Sequence, residues 1–370
     1  MKTLNLVDFI PRKLGHRDVF VSEKGEYLLI NCNKVRPPRP IKIKKKIVLD
    51  SNFLEVIGLY FGDGANSKSG SGNRRIALAN SCVDLHRKFL NFLFKFGVEK
   101  TSFRAQMQIG KNIKISKEEL IDYWSESLDL PKECFQEKIG IKDAKTKEKG
   151  LLVLNYNSKI FRVLFDNLFD YCLELCKENK KAAAGFIRGL FAAEGYVSVN
   201  KYNSLAWLDL PIIDKNRRKF VFDLFKSLGI KSRDNGKRLI VTGYLNFKKC
   251  KELDLIKYHL EKAEKFNLAY ENLIEKGNVP ALTKLKIIGV LEKGNKTRFE
   301  ISELLNIDIS TIYKSLKDLE IKSIVRLNGK SFSRNNRKLC ALWTLEKIPK
   351  NEFDLMNSDY CKKREIITCK

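Results

Sequence analysis

Two acidic residues roughly 130 positions apart, Asp63 and Glu194, each end an apolar stretch rich in small residues and each precede a glycine: VIGLYFGDG at 56–64 and IRGLFAAEG at 187–195. Carboxylates are hard oxygen ligands. Two of them at one spot suit a small divalent cation, magnesium first, in an arrangement able to polarise a phosphodiester and activate water. Either stretch alone is an ordinary buried helix ending at a glycine. The repetition is what points to chemistry.

The elements carrying the acids must bring them together. Gly58 and Gly62 lie four apart on one helix, as do Gly189 and Ala193 on the other, so each helix has a face without bulky side chains. Glycine inside a helix costs about 1 kcal/mol relative to alanine, a loss that close approach of two backbones can offset. If the helices pair in parallel, their C-terminal ends bring Asp63 and Glu194 close. The last turn of a helix already carries partial negative charge, so two such ends and two carboxylates require a cation. Gly64 and Gly195 are expected to turn the chain sharply into strands.

Around these phrases the chain reads as an internal repeat. Asn52 is expected to cap the first helix, with Glu55 at the reciprocal position. Strand RRIALAN, helix CVDLHRKFLNFLFKFG, strand TSFRAQMQIG, a helical basic insertion to about 148, strand LLVLNY and a helix to Cys176 follow. After AAAGFIRGLFAAEG come strands YVSV and SLAWLDL, helix DKNRRKFVFDLFKSLG, strand RLIVTG and helix YLNFKKCKEL. The expected class is α+β, with pseudo-symmetric αββαββα units at 51–180 and 181–266.

Residues 1–50 are expected to hold a hairpin, VFVSEKGEYLLIN, and then a basic, proline-rich connector, KVRPPRPIKIKKKIVLD. A further unit at 280–348 follows the segment AEKFNLAYENLIEKGNVP. In it Thr283 is expected to cap KLKIIGVLEKG, 300–306 to form a short helix, STIYKSLKDLE a third, and Asn328–Gly329 to turn a hairpin, with Ile301, Leu304, Leu305, Ile312, Leu316 and Leu319 supplying the core. Three helices and a hairpin give a winged helix-turn-helix pattern, whose third helix would offer Ser310, Thr311, Lys314 and Lys317 to a major groove. Residues 349–370 read as a basic tail.

Composition narrows the partner. Lys and Arg number 71 against 44 Asp and Glu, a net charge of +27, which favours a polyanion and makes nucleic acid the leading candidate. No apolar run reaches the roughly 18 residues of a membrane span, and MKTLNLVDFIPRK lacks a secretory h-region, so no membrane partner and an intracellular, cytoplasmic, nucleoid-associated chain are expected. Nine cysteines without CxxC spacing read as free thiols, and three histidines give little support to a His-based centre.

The two phrases resemble, position by position, the LAGLIDADG (DOD-type) signature of homing endonucleases, and the resemblance covers about residues 52–266 in the two-motif, single-chain form. It implies a monomer whose sheets form a saddle on double-stranded DNA, with Asp63 and Glu194 as catalytic, metal-binding acids and Mg²⁺ as cofactor. The family also carries a basic residue near each active centre, for which Lys149 and Lys237 are the candidates here. Splicing inteins in the family need a nucleophilic first residue; with Met1 at the start a free-standing enzyme is expected. Lys68, Arg74, Arg75 and Lys201 would meet phosphates or base edges, with Tyr202 and Trp207 as apolar contacts. The leading expectation is a site-specific, metal-dependent DNA endonuclease. The alternatives are a non-cleaving DNA-binding transcriptional regulator and an intron RNA maturase acting on structured RNA.

Overall fold

The computed structural model describes residues 2–33, 40–64, 75–142, 148–200, 203–275, 280–333 and 338–347. The chain divides into two compact units. One comprises Met1–Val197, Leu208–Val241 and Cys250–Glu264; the other comprises Ser198–Trp207, Thr242–Lys249 and Lys265–Lys370.

The first unit opens with β1 (Lys2–Asn5), β2 (Val19–Lys24), β3 (Tyr27–Cys32), β4 (Ile41–Lys44) and β5 (Lys46–Leu49). The expected hairpin is β2–β3, turning at Gly25 with φ +62°, and β4 extends it to three strands. Residues 41–49 are not a connector. In IKIKKKIVL the apolar residues Ile41, Ile43, Ile47 and Leu49 fall on a period of two and are buried, while Lys42, Lys46 and Val48 face outward. β5 pairs antiparallel with β1. Pro37 and Pro38 lie outside the described residues.

Helix α1 (Ser51–Asp63) starts two residues earlier than expected. Asp50 is its cap, accepting from Phe53 N–H at 2.7 Å, and Asn52 lies inside the helix. Glu55 serves elsewhere: it is buried and ion-paired with Arg188 of the other motif. β6 (Arg75–Asn80), α2 (Val83–Lys95), β7 (Phe103–Gly110), α3 (Lys117–Leu128), β8 (Gly140–Lys142), β9 (Leu151–Asn157) and α4 (Lys159–Glu178) follow, the strands forming a sheet of order β6-β9-β7-β8. The second motif gives α5 (Lys180–Glu194), then β10 (Tyr196–Val199), β11 (Leu205–Pro211), α6 (Lys215–Ser227), β12 (Ser232–Asp234), β13 (Arg238–Val241) and α7 (Tyr244–Glu252), with sheet order β10-β11-β13-β12. β11, β13 and β12 neighbour one another as β6, β9 and β7 do. β8, from the insertion, pairs in parallel with β7 and extends only the first sheet.

α1 and α5 run side by side in parallel with almost nothing between them. A Cβ on Gly58 would lie 1.9 Å from the Phe186 carbonyl oxygen, and one on Gly189 would lie 1.6 Å from that of Glu55. Farther along, a Cβ on Gly62 would meet the Ala193 Cβ at 2.4 Å. No side chain fits at these crossings, which is the physical reason for the small-residue faces.

AEKFNLAYENLIEKGNVP also differs from expectation, because most of it is helix α8 (Leu260–Glu275). In the second unit Tyr244 stacks on Tyr270 at 6.1 Å, and Asn272 donates to the Asn203 carbonyl at 3.1 Å. α9 (Pro280–Leu291), β14 (Lys296–Thr297), α10 (Arg298–Leu305), α11 (Ile309–Ile321), β15 (Val325–Ser333) and β16 (Lys338–Leu345) complete it, the strands in order β14-β16-β15. Thr283 sits within α9 rather than at its cap. Thr297 caps α10 in a reciprocal box with Glu300, and Asp308 caps α11. Asn328–Gly329 is not the hairpin turn: the β15–β16 register shifts there, between Leu327 and Lys330, and the connection falls at 334–337, outside the described residues. The core joins Ile287, Ile288 and Leu291 to Ile301, Ile312, Leu316 and Leu319 under Trp343; Leu304 faces out and Leu305 is half-buried.

Candidate functional site

The parallel packing of α1 and α5 decides where their last residues go. The Glu194 Cγ would lie 3.1 Å from a Cβ on Gly62, so its side chain lies across the end of α1 beside Asp63. Each acid is followed by a glycine that is needed for room, not for a left-handed turn. Gly64 has φ −74° and Gly195 φ −67°, both with ψ 144°. A Cβ on Gly64 would meet the Tyr60 carbonyl oxygen at 2.3 Å and its ring at 2.6 Å, and one on Gly195 would meet those of Phe191 at 2.4 and 2.5 Å. The chain therefore leaves both helices extended, with an aromatic ring packed over the exit.

Asp63 is held on one side by Asn80 at the end of β6, whose amide Nδ2 donates to Oδ2 at 2.6 Å. Asn80 is itself fixed. Its Oδ1 accepts from Cys82 N–H at 2.7 Å, and its carbonyl accepts from His86 Nε2 at 2.9 Å, so that nitrogen carries the proton. Burial pushes the Asp63 carboxyl up to about 6, with the charge of Glu194 adding to the rise and Asn80 and Lys262 opposing it. Burial likewise pushes the fully enclosed His86 down to about 4.

Among the described residues, the ammonium that acts on both acids is that of Lys262, in the first turn of α8. Its Nζ donates to the last carbonyls of α5: Phe191 at 3.2 Å, Ala192 at 2.6 Å and Ala193 at 3.2 Å. Burial pulls its ammonium down to about 8 against the pull of Asp63 and Glu194. A second cation, Arg217 of α6, lies 3.8 Å from the centroid of the Phe61 ring and within electrostatic reach of Glu194. Sequence reading offers Lys149 and Lys237, each beside a late strand, and does not single out Lys262. The signal for Lys262, a lysine in a helical pattern just after α7, does not stand out among 71 Lys and Arg residues.

The structure places the expected residues as follows. Asp63 and Glu194 come together, and Gly58, Gly62, Gly189 and Ala193 line the crossing that brings them there. Lys149 packs over Tyr123, with its carbonyl accepting from Trp124 Nε1 at 3.1 Å, and Lys237 is exposed in the turn before β13. Neither is among the charges that act on Asp63. Arg75 and Trp207 are exposed, the latter by 43%. On α11, Thr311 and Lys314 are open to solvent, the Ser310 hydroxyl is engaged by Asp308, and Lys317 pairs with Glu320 at 2.7 Å. Lys68, Arg74, Lys201 and Tyr202 lie outside the described residues.

Two carboxylates at adjoining helix ends fit a magnesium-like ion that keeps water or phosphate oxygens as its remaining ligands. They do not make a cage: among the described residues no group of three or more His, Cys, Asp and Glu side chains gathers for a metal.

Residues 181–252, from the second motif through α7, match the family model of the LAGLIDADG-like domain. Among solved structures the chain is similar to full-length DUF199/WhiA from Thermatoga maritima, at 13% identity over 73% of this chain and 91% of that one, TM-score 0.34. It is similar to the N-terminal LAGLIDADG domain of DUF199/WhiA, at 12% identity over 57% and 84%, TM-score 0.32. It is also similar to I-DmoI in complex with DNA and Mn, at 17% identity over 56% and 96%, TM-score 0.31. No curated protein matches the chain. Among the described residues no helix is long and apolar enough to cross a membrane.

Proposed function

We propose that this protein binds double-stranded DNA and hydrolyses it at a specific site, with Asp63 and Glu194 as the ligands of a divalent cation, magnesium by preference. The observation that carries this reading is the meeting of the two acids at the ends of parallel helices packed backbone to backbone in a chain of net charge +27. A bound divalent cation would supply Lewis-acid polarisation of the scissile phosphate. The chain's own residues do the rest. Asn80 orients the Asp63 carboxylate, Arg217 lies within electrostatic reach of Glu194, and both acids are half-buried, which keeps them partly out of water.

In this reading the two four-stranded sheets form a pseudo-symmetric saddle along the duplex. Arg75 and Trp207, with Lys68, Arg74, Lys201 and Tyr202, belong to its DNA-facing surface. Residues 280–348 act as a winged helix-turn-helix, with Thr311 and Lys314 of α11 directed to a major groove. A monomer is sufficient, since one chain carries both motifs.

A second reading, a DNA-binding regulator that does not cut, is favoured by one specific observation: the Lys262 ammonium already lies beside the acids. Incubation with magnesium or manganese and a randomised duplex library separates the two. The expected result is discrete double-strand breaks that vanish in Asp63→Asn and Glu194→Gln while binding persists. Tight, salt-sensitive duplex binding without breaks under any divalent ion would instead establish the regulator.

A further inference from the structure

The ammonium of Lys262 has three protons to donate, and three carbonyl oxygens of α5 receive them, at 3.2, 2.6 and 3.2 Å. Those carbonyls belong to the last turn of the helix, where partial negative charge collects. The same ammonium is one of two charges acting on Asp63, the other being Glu194, and it feels both acids. Among the described residues its hydrogen bonds go to these carbonyls, and the acids act on it through their charge. Lys262 thus satisfies the helix end by hydrogen bonds and the acid pair by field.

A cation held there supplies what two converging helix ends and two carboxylates otherwise lack. A dication entering the same region meets a positive charge fixed by three hydrogen bonds, and like charges in a partly buried site repel strongly. We propose that Lys262 is a built-in counter-ion of the acid pair, occupying its electrostatic role in the DNA-free protein so that a divalent cation gains the acids only as this ammonium yields. The added negative charge of a phosphate backbone would favour that exchange, which couples cation binding to DNA binding. This inference rests on Asp63 and Glu194 as cation ligands but not on cleavage.

Thermal melting of the full-length, DNA-free protein with and without manganese tests it. Wild type is expected to melt at the same temperature in both. Lys262→Met is expected to melt at least about 2 °C lower, and manganese to restore most of the loss. The triple variant K262M/D63N/E194Q, which lacks the acids that need a cation, is expected to melt above K262M and to ignore manganese. It also covers the case in which K262M does not fold, since a folded triple variant supports the counter-ion role.

A wild type as responsive to manganese as K262M would overturn the proposal. So would a K262M that matches wild type, or a triple variant no more stable than K262M, which would leave Lys262 a helix cap only. A manganese response that survives in the triple variant would overturn both this proposal and the assignment of Asp63 and Glu194 as ligands. DNA cleavage enters none of these measurements, so a protein that never cuts leaves the counter-ion role to stand or fall separately.

Discussion

Set in register, α1 and α5 offer Gly58 against Gly189, Gly62 against Ala193, Tyr60 against Phe191, Asp63 against Glu194 and Gly64 against Gly195. At the crossing the copies behave alike, since each glycine meets a carbonyl oxygen of the other helix at under 2 Å from where a Cβ would stand. Just before it they part: one position earlier Ile57 of the first copy is matched by Arg188 of the second, and three positions earlier Glu55 is matched by Phe186. At the helix ends they part further. Asp63 is tied to a backbone-anchored amide, whereas Glu194 has the guanidinium of Arg217 within electrostatic reach. Backbone approach tolerates one solution and holds both copies to it. Side-chain electrostatics tolerates several, and there the copies diverge.

The largest effect follows from the part held in common. Gly58→Ala/Gly189→Ala puts two methyl groups into backbone oxygens that cannot retreat without separating the helices. A loss of about 5 kcal/mol is expected, read as the shift in a urea-unfolding midpoint. Equal sensitivity of the two single variants is the sharper check on equivalence. A tolerated Gly58→Ala beside an unfolded Gly189→Ala would show that the copies are not equivalent even at the crossing.

Next comes the charged pair. Arg188→Ile leaves Glu55 buried and without its partner and is expected to cost about 4 kcal/mol. The apolar solution already used at the matching positions predicts the rescue: Glu55→Phe/Arg188→Ile recovers most of that loss, because a well-packed apolar pair commonly replaces a buried ion pair at little net cost. A double variant as unstable as Arg188→Ile would show that the copies differ in shape as well as charge.

What was legible in the sequence follows the same division. The small-residue faces, the two acids and the strand order all depend on periodicity and on the absence of side chains, which a sequence displays directly. Helix starts misled at Asn52 and Thr283 because Asp50 can cap as well as Asn52, and Pro280, with φ preset for a first helical turn, can open a helix as well as a Thr cap can. Residues 41–49 were readable as strands from their alternation, but the neighbouring prolines and the lysine run drew attention to a solvated connector. Lys262 was not readable at all. Its role comes from a long side chain crossing from α8 to the end of α5, 70 residues earlier for its shortest bond, and no local pattern encodes that reach.

His86 stands behind the first copy only, donating to the Asn80 carbonyl and packing edge-on against Trp124 at 5.7 Å. Buried and pushed down to about 4 from an ordinary 6.5, it binds a proton in the unfolded chain before it does in the folded one. The unfolded state therefore holds more protons between those values, so stability rises with pH across them and is lost as the pH falls. Its contribution is full above about 6.5 and lost by about 4, an expected span of about 3 kcal/mol. Denaturant titrations at a series of pH values check this, with His86→Gln flattening the profile over that window. An unchanged slope in the variant would assign the pH dependence to other groups and remove His86 from the support of Asp63.

The smallest effect tests whether the two acids have separate keepers. Asn80→Ala removes the amide that stabilises the charged form of Asp63, while the enclosing burial and the charge of Glu194 remain. The carboxyl is then expected to titrate still higher than about 6, seen as a shifted carboxyl carbon resonance in the DNA-free protein. Arg217→Ala removes a charge that acts on Glu194, so Asp63 should titrate as in wild type. Comparable movement of Asp63 in both variants would mean that Arg217 reaches across the helix ends. The pair would then titrate as one coupled group, and the contrast between the copies would hold only for their hydrogen bonds.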